Sequence, residues 1–287
     1  MTTIAELYEQ GVAFLQAAGI EDPQLESAFF LSDILGLSRP QLFIERRGVA
    51  SKDEELFRTY LKRRARHEPY AYIVGHQEFW GLDFIVSPSV LIPRPETELL
   101  VEQVLDLVSG KESFAGTILD LGTGSAILPV ALSRELPQAT HVAVDVSCDA
   151  LDIALRNILK HGCEKKVSLL AADFLTAFKK NVQFDFIVSN PPYVKKATFD
   201  TLQPEVVNNE PHLALDGGGG DGLVSISSFA PAVAQYLRPG GWFLMEIGYD
   251  QKQEVLDLFA SFSSFDHLTV LDDYAGLPRI LKARRSL

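Results

Sequence analysis

Cysteine is scarce in this sequence, because only Cys148 and Cys163 occur among its 287 residues. Their spacing matches no metal-ligand motif, and so small a number suits a reducing compartment rather than a disulfide-linked scaffold. We therefore expect packing or surface roles for both thiols, and no metal site is predicted.

The sequence also lacks any long uninterrupted apolar run, so neither a transmembrane helix nor a membrane partner is predicted. Its first residues, Met-Thr-Thr-Ile-Ala-Glu, lack the basic start and the apolar core of a signal peptide. The apolar fraction of 47% and the charged fraction of 22% are ordinary for a globular protein. Together these features predict a cytoplasmic protein.

Basic side chains are in the minority. The 26 lysines and arginines face 38 aspartates and glutamates, which gives a net charge of −12. Residues 1–75 hold 9 basic and 11 acidic side chains, and the remainder holds 17 and 27. A surface that follows a phosphate backbone needs a basic track, so direct binding to nucleic acid is not expected.

The most informative stretch is Asn190-Pro191-Pro192-Tyr193, which follows the short apolar segment 184–189. Neither proline has an N–H group, and Pro191 favours an extended conformation at Asn190, so a strand should end here in a stiff loop. The amide oxygen of Asn190 and the carbonyl of Pro191, beside the ring of Tyr193, are suited to holding a planar NH2 group. An ordinary strand-ending turn is the alternative interpretation, and a second motif decides against it.

That second motif is a glycine-rich turn between a predicted strand, 117–119, and a predicted helix that begins near residue 127. In this arrangement a nucleotide-type ligand lies against backbone N–H groups, although a Gly-x-Gly pattern alone is weak evidence. The residues assigned to ligand binding are Gly122, Thr123, Gly124, Ser125 and Ala126.

Two further predicted strands end in polar residues that suit the same ligand. Asp145 ends the strand after the glycine turn, about twenty residues beyond it, where a carboxylate can bind both ribose hydroxyls. The next strand ends at Asp173 and Phe174, which offer an acceptor for an adenine amino group and a ring or backbone beside it. Three successive strands therefore predict one adenosine site, and the fourth ends at Asn190.

Segments of strand and helix alternate from residue 117 onward, which is typical of an α/β fold with a parallel sheet. The last segments complete a predicted Rossmann-like sheet of seven strands. Residues 1–75 predict a small bundle of four helices, 76–92 a β-hairpin linker, and 93–287 the α/β domain.

Two helix starts are predicted from capping residues: a capping box from Ser51 to Glu54, and Thr97 as the cap of a helix that runs to about Val108. The helix after Ser51 carries five basic side chains. They form either a solvated surface or a docking patch for a protein partner or nearby RNA.

The combination of Asp-Leu-Gly-Thr-Gly-Ser at 120–125, the aspartate at 145 and the Asn-Pro-Pro-Tyr run resembles class I S-adenosylmethionine-dependent methyltransferases that act on a planar nitrogen. Two more segments resemble the release-factor glutamine methyltransferases, the HemK/PrmC family: Leu-Ile-Pro-Arg-Pro-Glu-Thr-Glu at 91–98 and Ala-Leu-Asp-Gly-Gly-Gly-Gly-Asp-Gly-Leu at 214–223. The resemblance covers nearly the whole chain. One departure is Ala126, where the family usually has glycine, and its methyl group is expected to crowd the ligand or to tighten the approach of helix to strand.

The resemblance implies an enzyme that uses S-adenosyl-L-methionine to methylate the glutamine of a Gly-Gly-Gln motif in peptide-chain release factors, giving N5-methylglutamine. It also implies one antiparallel edge strand in the sheet. Asn190, Pro191 and Tyr193 would be catalytic, Pro192 would join them in binding the substrate, and Asn190 would also touch the cofactor. A monomer is expected, with the helical domain presenting the substrate.

Three alternatives stay open at this point. In two of them the protein is still a methyltransferase, and the methyl acceptor is a ribosomal-protein glutamine or a nucleic-acid base amine. In the third the protein is a non-catalytic module that binds an adenosyl ligand. The loop that holds Arg94 and Glu96 has two interpretations as well, as a local ion pair or as a closure of the cofactor mouth. The glycine-rich run at 216–222 has no assigned role.

Overall fold

The computed structural model describes residues 2–45 and 47–287. Contacts divide the chain into two compact units. The helical unit comprises the residues up to His76 together with Gln203–Asn209, and the α/β unit comprises Gln77–Leu202 and Glu210–Leu287. Residues 203–209, which the sequence assigns to the α/β domain, thus pack with the N-terminal helices. The apolar core of the helical unit is separate from those of the sheet.

The described helices of the helical unit are short and amphipathic, and the last of them comes from the distant segment. They are α1 (Ile4–Ala17), α2 (Pro23–Leu35), α3 (Arg39–Ile44), α4 (Ser51–Arg64), α5 (Tyr70–Val74) and α9 (Pro204–Asn209).

Capping boxes start α1 and α3 rather than α4. Thr3 and Glu6 exchange hydrogen bonds at the start of α1, and Ser38 and Gln41 do so at α3. The capping box predicted from Ser51 is wrong, because Ser51 is already the first helical residue and Ala50 stands at the cap position without a side-chain bond.

The basic face of α4 is largely neutralised within the helical unit. Arg58 pairs with Glu54 at 3.0 Å, and Arg63 pairs with Glu68 and also donates to two backbone oxygens of α5. Arg64 is buried and forms a fork on Glu26 at 2.6 and 3.0 Å. These pairs favour the structural interpretation of the basic residues over the docking one.

Arg64 also fastens α9 to the helical unit. Its Nη1 donates to Glu205 at 2.9 Å, and the ring of His67 lies 3.3 Å from the same oxygen. The side chain of Asn209 donates to the carbonyl of His67 at 3.0 Å. Because Arg64 is almost fully enclosed, removing either carboxylate, Glu26 or Glu205, would leave part of a buried charge unpaired at a large cost in stability. The pairing with Glu205 therefore holds α9 in the helical unit.

A hairpin, β1 (His76–Phe79) and β2 (Leu82–Ile85), stands at the start of the α/β unit, which itself begins at Gln77. Trp80 and Gly81, which join the strands, both have positive φ, of 55° and 68°, as a two-residue hairpin turn requires. The hairpin predicted within 76–92 is thus present. Phe79 and Phe84 pack in the same core cluster as one face of the large sheet.

The large sheet has seven strands in the order β5-β4-β3-β6-β7-β9-β8, which confirms the predicted fold class. Its strands are β3 (Thr117–Leu121), β4 (Thr140–Asp145), β5 (Val167–Ala171), β6 (Phe184–Ser189), β7 (Leu237–Glu246), β8 (Phe265–Asp272) and β9 (Pro278–Arg285). The helices α6 (Glu98–Leu107), α7 (Ile127–Glu135), α8 (Cys148–Lys160), α10 (His212–Leu215), α11 (Val224–Tyr236) and α12 (Lys252–Ala260) alternate with them.

Strand β9 is the antiparallel strand, and it does not lie at the edge. It is hydrogen-bonded between β7 and β8, antiparallel to both. The expectation of an antiparallel edge strand is therefore wrong. Strands β8 and β9 are joined by a tight turn at 273–277, so they pair as a hairpin, and β9 inserts beside β7 and leaves β8 at the edge.

Apolar clusters cover both faces of the sheet, one against α6, α7 and α8 and the other against α11 and α12. The central strands therefore read as nearly continuous apolar runs, as parallel strands buried on both faces do. None of the described helices is long and apolar enough to cross a membrane.

His141 is an exception in this apolar interior. It lies in β4 with only 2% of its surface exposed, and neither ring nitrogen has a hydrogen-bond partner among the described residues. Burial, assisted by the positive charge of Lys166, lowers the pKa of His141 to about 4. The folded protein therefore keeps this imidazole neutral at pH values where the unfolded chain protonates it.

We predict that His141→Leu removes an acid-sensitive contribution to stability. A folded pKa near 4 against 6.5 unfolded means that the wild type loses stability relative to the variant as pH falls from 6.5 to 4. The difference should reach about 3 kcal/mol, at 1.36 kcal/mol per pKa unit. Urea unfolding of both proteins across this range measures it, and a difference that does not change with pH would contradict the assignment.

Candidate active site

The site lies where the strand order reverses. The chain proceeds outward from β3 to β4 and β5 and then returns to β6 on the other side of β3, and crevices at such points hold ligands in open α/β sheets. A cavity of about 370 Å³ opens there. The cavity is lined in part by the residues that directly follow β3, β4, β5 and β6.

The pairing register explains why these residues meet. Leu121 at the end of β3 pairs with Val144 of β4 and with Ser189 of β6, and Ser189 pairs with Met245 of β7. The hydroxyl of Ser189 also donates to the carbonyl of Leu121 at 2.8 Å, in the buried interior. The residues immediately beyond these four positions, 122, 145, 190 and 246, therefore lie in one row along the carboxyl edge.

The glycine turn supplies one wall of the cavity. Gly122 and Gly124 have φ values of 74° and 53°, and a side chain built on either would meet nothing within 4 Å. The open space beside this backbone is part of the cavity, which Thr123 and Ser125 also line. A flat ligand can therefore approach the backbone of the turn closely.

Of the two effects expected for Ala126, the structure contradicts the crowding of the ligand. It lies outside the cavity lining and is fully buried in the core cluster beneath α6, α7 and α8, so its methyl group does not crowd a ligand. Its backbone is left-handed, with φ of 63°. A residue with a β-carbon costs about 1–2 kcal/mol in that conformation, which explains why glycine is the easier residue here.

Asp145 follows from β4 and is held by the glycine turn. Its two oxygens accept the backbone N–H of Gly124 at 2.8 Å and that of Ser147 at 2.9 Å. Burial raises the pKa of this carboxyl, and the backbone hydrogen bonds oppose that shift. Each oxygen keeps a further lone pair, and the residue lines the cavity.

Asp173 and Phe174 also line the cavity, beyond the end of β5. Phe174 has a φ of 45°, and its ring packs on Phe229 of α11 with centroids 4.6 Å apart. This packing holds the ring in place at the side of the cavity. Both residues therefore lie where the sequence predicts them, beside Asp145 and the glycine turn.

Only part of the Asn-Pro-Pro-Tyr run faces the cavity. Asn190 and Pro192 line it, whereas Pro191 is buried and Tyr193 is half-buried outside the lining. The side-chain NH2 of Asn190 donates to the hydroxyl of Thr97 at 3.1 Å. Its amide oxygen makes no hydrogen bond to any residue that the structure describes.

Thr97 occupies the position directly before α6, as the sequence predicts, but its side chain forms no capping hydrogen bond. Its hydroxyl donates at 2.7 Å to Glu246, a carboxylate that is only 1% exposed. The hydroxyl of Tyr193 donates to the other oxygen of Glu246 at 2.9 Å. Neither Thr97 nor Glu246 was assigned to the site from the sequence, because each is an ordinary residue until the fold brings it beside Asn190.

Asp120 is a further residue that the sequence-based assignment misses, although it begins the glycine motif. It is 2% exposed and lines the cavity, and neither of its oxygens has a hydrogen-bond partner among the described residues. Burial raises the pKa of its carboxyl to about 7. An unpaired buried carboxylate beside a cavity is suited to a cationic group of a ligand.

The segment after α9 forms the remaining wall. Glu210, which is 3% exposed, accepts the backbone N–H of Ile92 at 3.1 Å and the guanidinium of Arg94 at 2.5 Å. Arg94 therefore pairs with this distant carboxylate rather than with Glu96. Beyond Glu210, the cavity is lined by Pro211, Leu213, Ala214, Asp216, Gly217 and Gly218. The start of the glycine-rich run therefore contributes to the site.

No group of three or more histidine, cysteine or acidic side chains in the described part of the chain is arranged to hold a metal ion. The polar groups at the cavity include carboxylates, backbone amides, hydroxyls, the guanidinium of Arg94 and the carboxamide of Asn190. Such a site can bind a polar ligand with positive charge and orient a planar amide beside it.

Comparisons with known proteins decide the family. Residues 6–75 match the model of the PrmC N-terminal domain, and residues 95–230 match that of the methyltransferase small domain. The chain is 39% identical over 284 residues to the release factor glutamine methyltransferase of Koribacter versatilis, with 99% of each chain covered. That of Moorella thermoacetica is 41% identical over 290 residues, again with 99% of each covered.

The chain belongs to the release factor glutamine methyltransferase family. The resemblance inferred from the motifs is thus confirmed. Among solved structures, a methyltransferase from Pyrococcus furiosus is similar, with a TM-score of 0.53 at 16% identity, covering 72% of this chain and 90% of that one. A 16S rRNA methyltransferase of T. thermophilus in complex with AdoMet and guanosine has a TM-score of 0.52 at 21% identity, covering 73% and 49%. At these identities the two structures support the methyltransferase fold alone.

We predict that Asp120→Asn stabilises the ligand-free protein at neutral pH. The folded carboxyl has a pKa near 7 against 3.8 unfolded, so the folded state loses stability as pH rises from 4 to 7. Because asparagine does not titrate, its advantage should grow by about 4 kcal/mol over that interval, at 1.36 kcal/mol per pKa unit, and then remain constant. Chemical denaturation at pH 5 and pH 8 checks this, and equal differences at both pH values would refute it.

Proposed function

We propose that this protein transfers a methyl group from S-adenosyl-L-methionine to the side-chain amide nitrogen of the glutamine in the Gly-Gly-Gln motif of peptide-chain release factors. The products are N5-methylglutamine and S-adenosyl-L-homocysteine. The proposal rests on the hydrogen bonding of the Asn190 side chain. Its NH2 donates to Thr97, while its amide oxygen has no hydrogen-bond partner among the described residues. An amide oxygen held in this way at a cavity is suited to accept an N–H of a substrate amide.

The cavity residues fit S-adenosyl-L-methionine. The unpartnered carboxylate of Asp120 suits the ammonium group of the methionine moiety, and Asp145 has lone pairs left for the ribose hydroxyls. Asp173 and the ring of Phe174 suit the adenine, and the glycine turn allows close approach of the ligand to the backbone. When bound, the cofactor supplies an electrophilic methyl group on a positively charged sulfur.

The protein's part in the reaction is to position the amide nitrogen. An amide is a poor nucleophile because its lone pair is delocalised into the carbonyl. The oxygen of Asn190, which lines the cavity, would accept one N–H group, turning the nitrogen toward the methyl group and favouring the positive charge that develops on it. The carbonyl of Pro191 is the second acceptor expected from the sequence, although this residue lies outside the cavity lining. The amide proton becomes acidic once the nitrogen has formed its fourth bond, so no strong base is needed.

Pro192 and Tyr193 would help to position the substrate in different ways. Pro192 lines the cavity beside Asn190 and would pack against the substrate glutamine. The ring of Tyr193 was assigned to the flat amide from the sequence, but its hydroxyl is directed to Glu246. Because Tyr193 also lies outside the cavity lining, we assign it to the support of the site.

The helical domain, residues 1–75, is proposed to recognise the release factor, with 76–92 as the linker and 93–287 as the catalytic domain. The acidic charge of −12 favours a protein substrate over a nucleic acid. We propose that a monomer carries out the reaction.

We predict that Asp145→Ala weakens the binding of S-adenosyl-L-methionine by at least about tenfold, because a hydrogen bond to a charged group contributes about 1.5–3 kcal/mol. The loss of the bond that fixes Gly124 acts in the same direction. Titration calorimetry measures the affinity, and Asp152→Ala, at an exposed position of α8, is the matched control. Unchanged affinity in a folded Asp145→Ala protein would remove this residue from the site.

We predict that Asn190→Ala lowers turnover by about 10²–10³, the range found when one preorganised polar contact to a reacting group is removed. Wild type, the variant and the control Asn181→Ala, which changes an exposed residue before β6, are incubated with labelled S-adenosyl-L-methionine and purified release factor. Mass spectrometry of tryptic peptides locates the methyl group. A methyl group on any residue other than the Gly-Gly-Gln glutamine, or full activity in Asn190→Ala, would contradict the proposed function.

A further inference from the structure

Beyond the residues that touch the substrate, a chain of buried hydrogen bonds determines which end of the Asn190 amide faces the cavity. We propose that Glu246 is a positioning residue that acts through Thr97 to hold the NH2 of Asn190 away from the substrate and its oxygen toward it. This inference rests on the proposed function for its consequence in catalysis, although the hydrogen-bond chain can be tested without it.

The chain of hydrogen bonds has three members, Asn190, Thr97 and Glu246, and the last two lie in the interior. Thr97 is 0% exposed and Glu246 is 1% exposed. The distance from Asn190 Nδ2 to Thr97 Oγ1 is 3.1 Å, and that from Thr97 Oγ1 to Glu246 Oε2 is 2.7 Å. The adjacent pairing of Ser189 with Met245 places Glu246 beside Asn190 on the carboxyl edge of the sheet. In so dry an environment each of these bonds is stronger than it would be in water, and a lost partner is costly.

A second donor stabilises the ionised form of Glu246. The hydroxyl of Tyr193 donates to Oε1 at 2.9 Å. Burial, together with the negative charge of Glu246, raises the pKa of Tyr193 well above its ordinary value, so the phenol keeps its proton and remains a donor. Burial also raises the pKa of Glu246, but the bonds from Thr97 and Tyr193 and the positive charge of Arg279 act against that shift.

The direction of the hydrogen bonds follows from the number of protons that each group can donate. An ionised carboxylate only accepts hydrogen bonds, and a threonine hydroxyl has one proton to donate. Thr97 gives that proton to Glu246, so toward Asn190 it can only accept. The group of Asn190 that meets Thr97 must therefore be its NH2, and the amide oxygen is left on the opposite side, which is the side of an arriving substrate.

This direction matters because a carboxamide has two ends of similar shape. With the amide of Asn190 reversed, its NH2 would face the NH2 of the substrate glutamine, and two donors would oppose each other in a desolvated site. The reversed side chain would block the acceptor function while filling the same space. A carboxylate at 246 thus selects the productive orientation of a residue that it does not touch.

Substitutions at Thr97 separate the hydroxyl from the shape of the side chain. Thr97→Val keeps the volume but removes the link, and Thr97→Ser keeps the hydroxyl. Thr269→Val, the same change on the edge strand β8, is the control. We expect Thr97→Val to lower kcat about 10²-fold, Thr97→Ser to retain kcat within about threefold, and the control to match the wild type.

Glu246→Gln tests the charge itself. A neutral carboxamide has only one accepting end, so it cannot accept from both Thr97 and Tyr193, and we expect kcat to fall at least about tenfold. In all these variants KM for the release factor and the affinity for S-adenosyl-L-methionine should stay within about threefold of the wild-type values, because a positioning role affects the reacting geometry. Wild-type kcat in Thr97→Val or in Glu246→Gln would overturn the inference.

A readout that is independent of methylation keeps the two proposals distinguishable. The side-chain NH2 signals of Asn190 are assigned in nitrogen–proton NMR spectra by their absence in Asn190→Ala. We expect slow hydrogen exchange of this group in the wild type and in Thr97→Ser, and faster exchange in Thr97→Val. Equal exchange rates in all three would overturn the inference. A wild-type protein that leaves release factor unmodified would instead contradict the proposed function, while the NMR result still decides the hydrogen-bond chain.

Discussion

The parallel pairing of β3 with β6 is the constraint on which the site depends. It brings Leu121 and Ser189, 68 positions apart in the chain, to the same level of the sheet, and a buried hydroxyl-to-carbonyl bond of 2.8 Å joins them. The register then continues into β4 and β7. As a result the glycine turn, Asp145, Asn190 and Glu246 all emerge at one edge.

The same edge concentrates polar groups that are costly in a folded protein. Asp120 is buried without a partner among the described residues, and its carboxyl would be more stable in water. Such a group reduces the stability of the ligand-free protein. Under the proposed function, a cation of the ligand would pair with it, and the cost would become affinity in the complex. Thr97, Tyr193 and Glu246 show the opposite design, because the hydroxyls of Thr97 and Tyr193 both have Glu246 as an acceptor. The site thus combines a buried carboxyl without a hydrogen-bond partner among the described residues, Asp120, with a neighbouring group of residues that are hydrogen-bonded to one another.

Local patterns were sufficient for the parts of the fold that local physics determines. The alternation of strand and helix, the glycine turn and the polar ends of successive strands placed Asp145, Asp173 and Asn190 correctly at one cavity. Three features depend on distant pairing and were missed. Glu246 meets Thr97 across 149 positions of the chain, β9 inserts between β7 and β8, and α9 belongs to the helical unit although it is distant from it in the sequence. The capping box predicted at Ser51 failed for a local reason, since a start shifted by one residue leaves alanine at the cap.

The central claim is that the amide oxygen of Asn190 receives the N–H of a substrate glutamine. The most direct measurement is a neutron or very high resolution X-ray structure of the protein with S-adenosyl-L-homocysteine and a peptide that contains Gly-Gly-Gln. We expect the glutamine nitrogen about 2.9 Å from Asn190 Oδ1, with the hydrogens of the Asn190 NH2 directed to Thr97. A glutamine nitrogen outside hydrogen-bonding distance of that oxygen, or an Asn190 NH2 directed at the peptide, would contradict it.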